Sequence, residues 1–123
     1  MGRAVRIYNW FTFDAAHRLP NVPRGHKCRN LHGHCYRVRV DIRGDVMVTP
    51  GWVIDYADIK TAFKYEVHNV LDHRYLNEIK GLENPTAELI CLWIRDALTP
   101  AFGDMLCRVE VKEGEKTGAI WEC

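Results

Sequence analysis

Between His32 and Arg43 the chain alternates with a period of two. His32, His34, Tyr36, Val38, Val40 and Ile42 fall on one side, and Arg37, Arg39, Asp41 and Arg43 on the other. Only a β-strand gives every second side chain the same direction, so this run is a strand with one core-facing side. Such a strand needs a neighbour and a covering layer, and the rest of the chain supplies candidates for both. A first strand is expected from about Val5 to Phe13, where Val5, Ile7, Phe11 and Phe13 alternate with Arg6, Tyr8, Trp10 and Thr12. Pro20, Pro23 and Gly25 then mark a long loop.

After a turn at Pro50 and Gly51 the period changes. Asp55 is a good helix cap, and Ile59, Phe63, Val67, Val70 and Leu71 recur at helical spacing to about His73. A second helix is expected to open near Asn84, Pro85 and Thr86, to carry Leu89, Leu92, Trp93 and Ala97 inward, and to end at Pro100. Strands at Met105 to Glu113 and about Ala119 to Glu122, joined by a turn with Gly114 and Gly118, complete the pattern. Strands at both ends and helices between them predict an α+β fold, an antiparallel sheet with helices on one face. No repeat or linker interrupts the 123 residues, which read as a single domain over 1–123.

The formal net charge of +1 gives no reason to expect a nucleic-acid or membrane surface. No apolar run approaches the ~20 residues of a membrane span. The N-terminus leads straight into strand-like alternation, with no signal-peptide core, so the expected location is cytoplasmic. The five cysteines, an odd number without pairing rhythm, fit a reducing compartment. Cys91 and Cys107 fall in apolar runs and read as small core residues.

The strand phase gives the histidines their meaning. His32 and His34, at i and i+2, project from the same face, and His17 is in phase with the apolar side of the first strand. If both strands extend that far, three imidazoles meet at the ends of core-facing stripes. Imidazole nitrogens suit zinc, and three protein ligands leave a fourth position for water or substrate. Cys28 leaves two readings open. As a fourth ligand it closes the site and makes it structural; outside the shell it is a thiolate base favoured by the cation and by Lys27 and Arg29. Cys35 points away from His34 and is no ligand.

Two further features carry chemistry. Asp72 and His73 end the first predicted helix, and a carboxylate beside an imidazole sets its tautomer for acid/base work, provided the helix stops there. Glu113 continues the phase of Met105, Cys107, Val109 and Val111, which puts a carboxylate on a core-facing side where it needs a partner. A ligand with adjacent N–H donors would satisfy it. His68 and His26 read as surface residues.

These residues, taken in order, resemble a known family. Phe13-Asp14-Ala15-Ala16-His17, Cys28 followed after three residues by His32-Gly33-His34, Leu71-Asp72-His73, Asn84-Pro85-Thr86 with Glu88, and Val111-Lys112-Glu113 together look like the pyruvoyl-tetrahydropterin synthase superfamily. The three-residue spacer after Cys28 resembles the subgroup that forms 6-carboxy-5,6,7,8-tetrahydropterin in queuosine biosynthesis. The resemblance implies the tunnelling fold (T-fold), a four-stranded antiparallel sheet with two helices on one face. It also implies a homo-oligomer, trimer or hexamer, with active sites at subunit interfaces, and the Arg37, Arg39 and Arg43 face lining the ring. The implied reaction converts 7,8-dihydroneopterin triphosphate to 6-carboxytetrahydropterin with loss of acetaldehyde and triphosphate. On this sequence it makes His17, His32 and His34 the zinc ligands, Cys28 the base, and Asp72 and His73 its acid/base partners. Glu113 becomes the pterin anchor, with Thr86 and Glu88 as lesser contacts and Lys27 or Arg24 as triphosphate contacts. The rival readings are a 6-pyruvoyltetrahydropterin synthase, which makes no carbon–carbon cleavage, and a non-catalytic zinc-stabilised interaction module with Cys28 as fourth ligand.

Overall fold

A computed structural model describes residues 2–123. Its sheet has four antiparallel strands in the order β1-β2-β3-β4: β1 Ala4–His17, β2 His32–Asp45, β3 Leu106–Lys112 and β4 Gly118–Glu122. The long β1–β2 hairpin is the backbone of the site. It pairs Ala4 with Asp45 at one end and His17 with His32 at the other, so β1 runs four residues further than its apolar alternation alone predicts. Tyr36, Val38, Val40 and Ile42 are all fully buried, as their phase requires. Burying each of the three aliphatic side chains, Val38, Val40 and Ile42, is worth about 1.5–3 kcal/mol.

The helical layer covers that face. Asp55 caps α1 (Tyr56–Phe63), its Oδ1 accepting the Ala57 N–H at 2.8 Å. The helical path continues through a π turn at Lys64–His68 into α2 (Asn69–Leu71). The π turn has a packing reason. Ile59, Phe63, Val67 and Leu71 are spaced four apart and all are buried. In an ideal α-helix each such step drifts by about 40°, and the wider turn takes up the drift so that all four stay on the sheet. Phe11 of β1 stacks on Phe63 with ring centroids 4.0 Å apart.

The third helix, α3 (Ala87–Phe102), is capped by Thr86, whose Oγ1 accepts the Leu89 N–H at 3.2 Å. Trp93 and Ala97 pack against the core as expected, but Ile90, Cys91, Ile94 and Leu98 form the buried face, and Leu89 and Leu92 are exposed. The segment is apolar on several sides, so its periodicity admitted two faces and the sheet selected one. The helix also runs past Pro100 to Phe102, stopping at Gly103 with φ +55°.

The third strand carries another correction. A bulge opposite Asp41 and Ile42 pairs Asp41 with Arg108 and Ile42 with Leu106. The extra residue, Cys107, is thereby turned off the core face, where its Sγ contacts the Asp41 carbonyl at 3.6 Å, and Leu106 takes its place in the core. Met105 belongs to a short 3₁₀ turn (Gly103–Met105) rather than to the strand. On the face away from the helices, Asp41 is fully buried, held by Arg39 at 2.8 Å, and is no solvated charge. Among the described residues no helix is long and apolar enough to cross a membrane.

Candidate functional site

The hairpin register brings the three histidines together. His17 and His32 are directly opposed across β1 and β2, and His34 lies two residues along the same face. One ring nitrogen from each lies within 4.8 Å of the other two, and among the described residues no cysteine or carboxylate joins the group. Close approach of the strands is allowed by Gly33, where a Cβ would meet the Ala15 carbonyl at 3.3 Å.

Backbone carbonyls decide which nitrogen each ring offers. His17 Nδ1 lies 2.8 Å from the Pro85 carbonyl, and His32 Nδ1 lies 2.7 Å from the Asn30 carbonyl. A carbonyl oxygen only accepts, so both Nδ1 atoms carry a proton, and in the neutral rings both Nε2 atoms carry lone pairs. Those two Nε2 atoms face each other at 3.0 Å. Two lone pairs at that distance repel unless a cation lies between them. The Nε2 of His34 is buried on the same face without a hydrogen-bond partner, as an atom awaiting a ligand would be. Burial pushes the pKa of both His17 and His34 below the ordinary histidine value, which favours neutral rings able to donate electron pairs. The donor set fits zinc, with nothing from the chain in the fourth position.

Tyr36 forms the floor. Fully buried and stacked on Phe13, it places its hydroxyl 3.2 Å from His17 Nδ1 and its ring edge-on to His34. Sequence reasoning counted Tyr36 only as a core residue; its position two after His34 on the ligand face was the available signal.

A cavity of about 400 Å³ opens beside the cluster, lined by Lys27, Cys28, His32, His34 and Glu113. Glu113, just beyond the end of β3, sets Oε2 3.5 Å from His34 Nε2. The structure therefore gathers three of the sequence-singled residues, Lys27, Cys28 and Glu113, around the histidines. The Cys28 sulfur stands outside the ligand group.

Asp72 and His73 form a second centre. The helix ends at Leu71, Asp72 is extended, and His73 has φ +58°, a left-handed conformation unusual for a residue with a side chain. Contacts to the edge of β1 hold this turn. Asp72 Oδ1 accepts the Asp14 N–H at 3.0 Å, and the His73 N–H donates to the Asp14 carbonyl at 2.6 Å. The other carboxylate oxygen of Asp72 lies 2.8 Å from His73 Nδ1. The Asp14 amide is the main cause that lowers the Asp72 pKa below its ordinary value, and the Asp72 hydrogen bond raises that of His73. His73 is exposed and lines a different cavity, of about 560 Å³, on the outer side of β1, with His34 bordering both.

Thr86 and Glu88 stand at the start of α3. The Thr86 hydroxyl is engaged in the cap, and Glu88 is exposed in the first turn. Neither lines the cavity beside the histidines; the contribution of this corner is the Pro85 carbonyl on His17. Arg24 is exposed in the loop before Lys27 and does not line that cavity either.

The family pattern described as 6-pyruvoyl tetrahydropterin synthase matches residues 6–122. The chain is 44% identical over 111 residues to the 6-carboxy-5,6,7,8-tetrahydropterin synthase of Synechocystis, covering 87% of this chain and 84% of that protein. It is 35% identical to the dihydroneopterin monophosphate aldolase of Pyrococcus furiosus, covering 96% and 97% respectively. The structure of Caenorhabditis elegans 6-pyruvoyl tetrahydropterin synthase superposes with a TM-score of 0.89 at 27% identity, over 100% of this chain and 99% of that one. The fold is the T-fold of these proteins. The chain belongs to the 6-pyruvoyl tetrahydropterin synthase family.

Proposed function

We propose that this family member converts 7,8-dihydroneopterin triphosphate and water to 6-carboxy-5,6,7,8-tetrahydropterin, acetaldehyde and triphosphate. This is an early step of 7-deazapurine (preQ0, queuosine) biosynthesis. The observation that carries the reading is the shared cavity, in which a thiol, a carboxylate and two of the three clustered imidazoles, His32 and His34, face the same space, with His17 buried behind them.

Each residue then has a task suited to its surroundings. His17, His32 and His34 hold zinc, which supplies Lewis acidity toward the hydroxyls of the substrate side chain. Cys28, in the cavity yet outside the ligand group, takes the proton from the side-chain carbon. Glu113 accepts the adjacent N–H donors of the pterin ring, and Lys27 meets the triphosphate. Asp72 orients His73, and His73 relays protons during triphosphate loss and carbon–carbon cleavage.

Cys28 and His73 lie in separate cavities of one chain, flanking β1. This arrangement supports a homo-oligomer in which His73 of one copy serves the cysteine cavity of the next. The antiparallel sheet ends in β1 on one side and β4 on the other, so edge pairing between copies would extend it. A trimeric ring, alone or stacked as a hexamer, follows, with the arginine face of β2 turned inward.

Incubating the zinc-loaded protein with dihydroneopterin triphosphate tests the reading. Acetaldehyde and the 6-carboxy product are expected. Triphosphate release with a pyruvoyl product and no acetaldehyde would make it a 6-pyruvoyltetrahydropterin synthase instead. Cys28→Ala is expected to keep zinc and fold while losing turnover; loss of both zinc and fold would favour the zinc-stabilised module.

A further inference from the structure

Cys28 sits on no strand and no long helix. It occupies a three-residue 3₁₀ turn, Lys27–Arg29, in the loop between β1 and β2. A loop holds a reactive group still only where its backbone is tied, and here both backbone groups of Cys28 are tied. Its carbonyl accepts the Leu19 N–H at 2.7 Å, and its N–H donates to His26 Nδ1 at 3.1 Å. The remaining bonds brace the same turn. His26 N–H reaches the Pro23 carbonyl at 3.1 Å, and the Arg29 N–H reaches the His26 carbonyl at 3.1 Å. The Arg29 guanidinium donates to the carbonyls of Pro20 and Val22 at 3.2 and 2.9 Å.

We propose that His26 is a positioning residue that holds the Cys28 thiol against the histidine cavity by capping the turn that carries it. The proposal rests on the reading of Cys28 as the base. The backbone of His26 is extended (φ −68°, ψ 132°), the conformation of a cap residue. Serine, threonine, asparagine and aspartate usually fill this role, because a short side chain places its oxygen on an amide one turn in. The imidazole does the same with Nδ1, which accepts only as a lone pair, so the ring proton resides on Nε2. The ring itself is exposed and does not line the cavity, so its effect on chemistry passes through Cys28 alone.

Three substitutions in the zinc-loaded protein separate positioning from imidazole chemistry. His26→Ala removes the cap. His26→Asn places Oδ1 where Nδ1 stood, and His26→Gln places its oxygen one bond further, near the position of Nε2. The readouts are kcat and KM, zinc content, and the rate at which iodoacetamide alkylates Cys28, followed on its peptide by mass spectrometry. His26→Ala is expected to lower kcat roughly fivefold, the size of a typical lost cap, with KM and zinc little changed and the alkylation rate altered. Asparagine is expected to restore most of both losses, and glutamine not. Wild-type kcat and alkylation rate in His26→Ala would overturn the proposal. So would an asparagine variant as impaired as alanine, which would point to proton chemistry at the imidazole. Full turnover in Cys28→Ala would instead overturn the reading of Cys28, while the alkylation rates would still decide whether His26 holds the thiol.

Discussion

The buried histidine cluster and the exposed His73 put one side chain to opposite uses. In the cluster, burial lowers the pKa of His17 and His34, which favours their neutral form, and backbone carbonyls claim Nδ1 of His17 and His32. The Nε2 atoms of His17 and His32 are left facing each other. At the far side of β1, Asp72 raises His73 and leaves the ring in solvent, where protons come and go. The first environment suppresses protonation, as the proposed metal ligands require. The second sustains it, as the proposed proton relay requires. The difference lies in what surrounds each ring, a carbonyl and a closed core in one case, a carboxylate and open water in the other.

Breaking the cluster should have the largest effect. His17→Ala removes the most buried ligand, so metal analysis is expected to show zinc lost and turnover to fall at least ~10³-fold; retention of stoichiometric zinc would sink the assignment. Breaking the second centre comes next. Asp72→Asn withdraws the carboxylate that raises His73, so kcat is expected to fall by about 10²–10⁴-fold, as when an orienting carboxylate is lost. The pH–rate limb belonging to His73 should move to lower pH; an unmoved limb would mean another group is being read.

A third measurement sharpens the contrast without substitution. His17 and His34 have folded-state pKa values below the unfolded value of about 6.5, so the unfolded chain binds more protons below that pH. The metal-free protein should therefore lose stability as pH falls through about 6.5, seen as a lower Tm at pH 5.5 than at 7.5. Zinc, which binds the folded state, should raise Tm at pH 7.5 and lose that effect as its ligands protonate. A pH-independent Tm of the metal-free protein would contradict the account. The smallest effect is expected from Tyr36→Phe, which keeps the stacked ring and removes the hydroxyl beside His17 Nδ1. Because Pro85 holds the stronger bond at 2.8 Å, zinc affinity measured by chelator competition should fall by no more than ~10-fold.

What could be read from the sequence was whatever repeats at short range. Alternation along β2 put His32 and His34 on the apolar side of a strand, and the parity of β1 added His17. Helical spacing placed Ile59, Phe63, Val67 and Leu71 correctly, but Val70 of the same run is exposed. In α3 it placed Trp93 and Ala97 and missed for Leu89 and Leu92, because the apolar residues lie on more than one side, and in β3 a bulge at Cys107 broke the parity that the expected strand relied on. The phase of Glu113 still pointed toward the site, because its count from Val109 and Val111 lies beyond the bulge.

The tertiary structure alone decided how those residues are held. Pro85 is 68 positions from His17, and Asp14 is 58 from Asp72, yet one fixes a tautomer and the other anchors a carboxylate. His26, read from the sequence as a surface residue, became the cap of the Cys28 turn. None of these contacts follows a period, because each is made by a lone carbonyl, amide or ring nitrogen wherever the packed chain brings it. Strand period determines which face a histidine occupies; only the folded backbone determines which of its nitrogens is free.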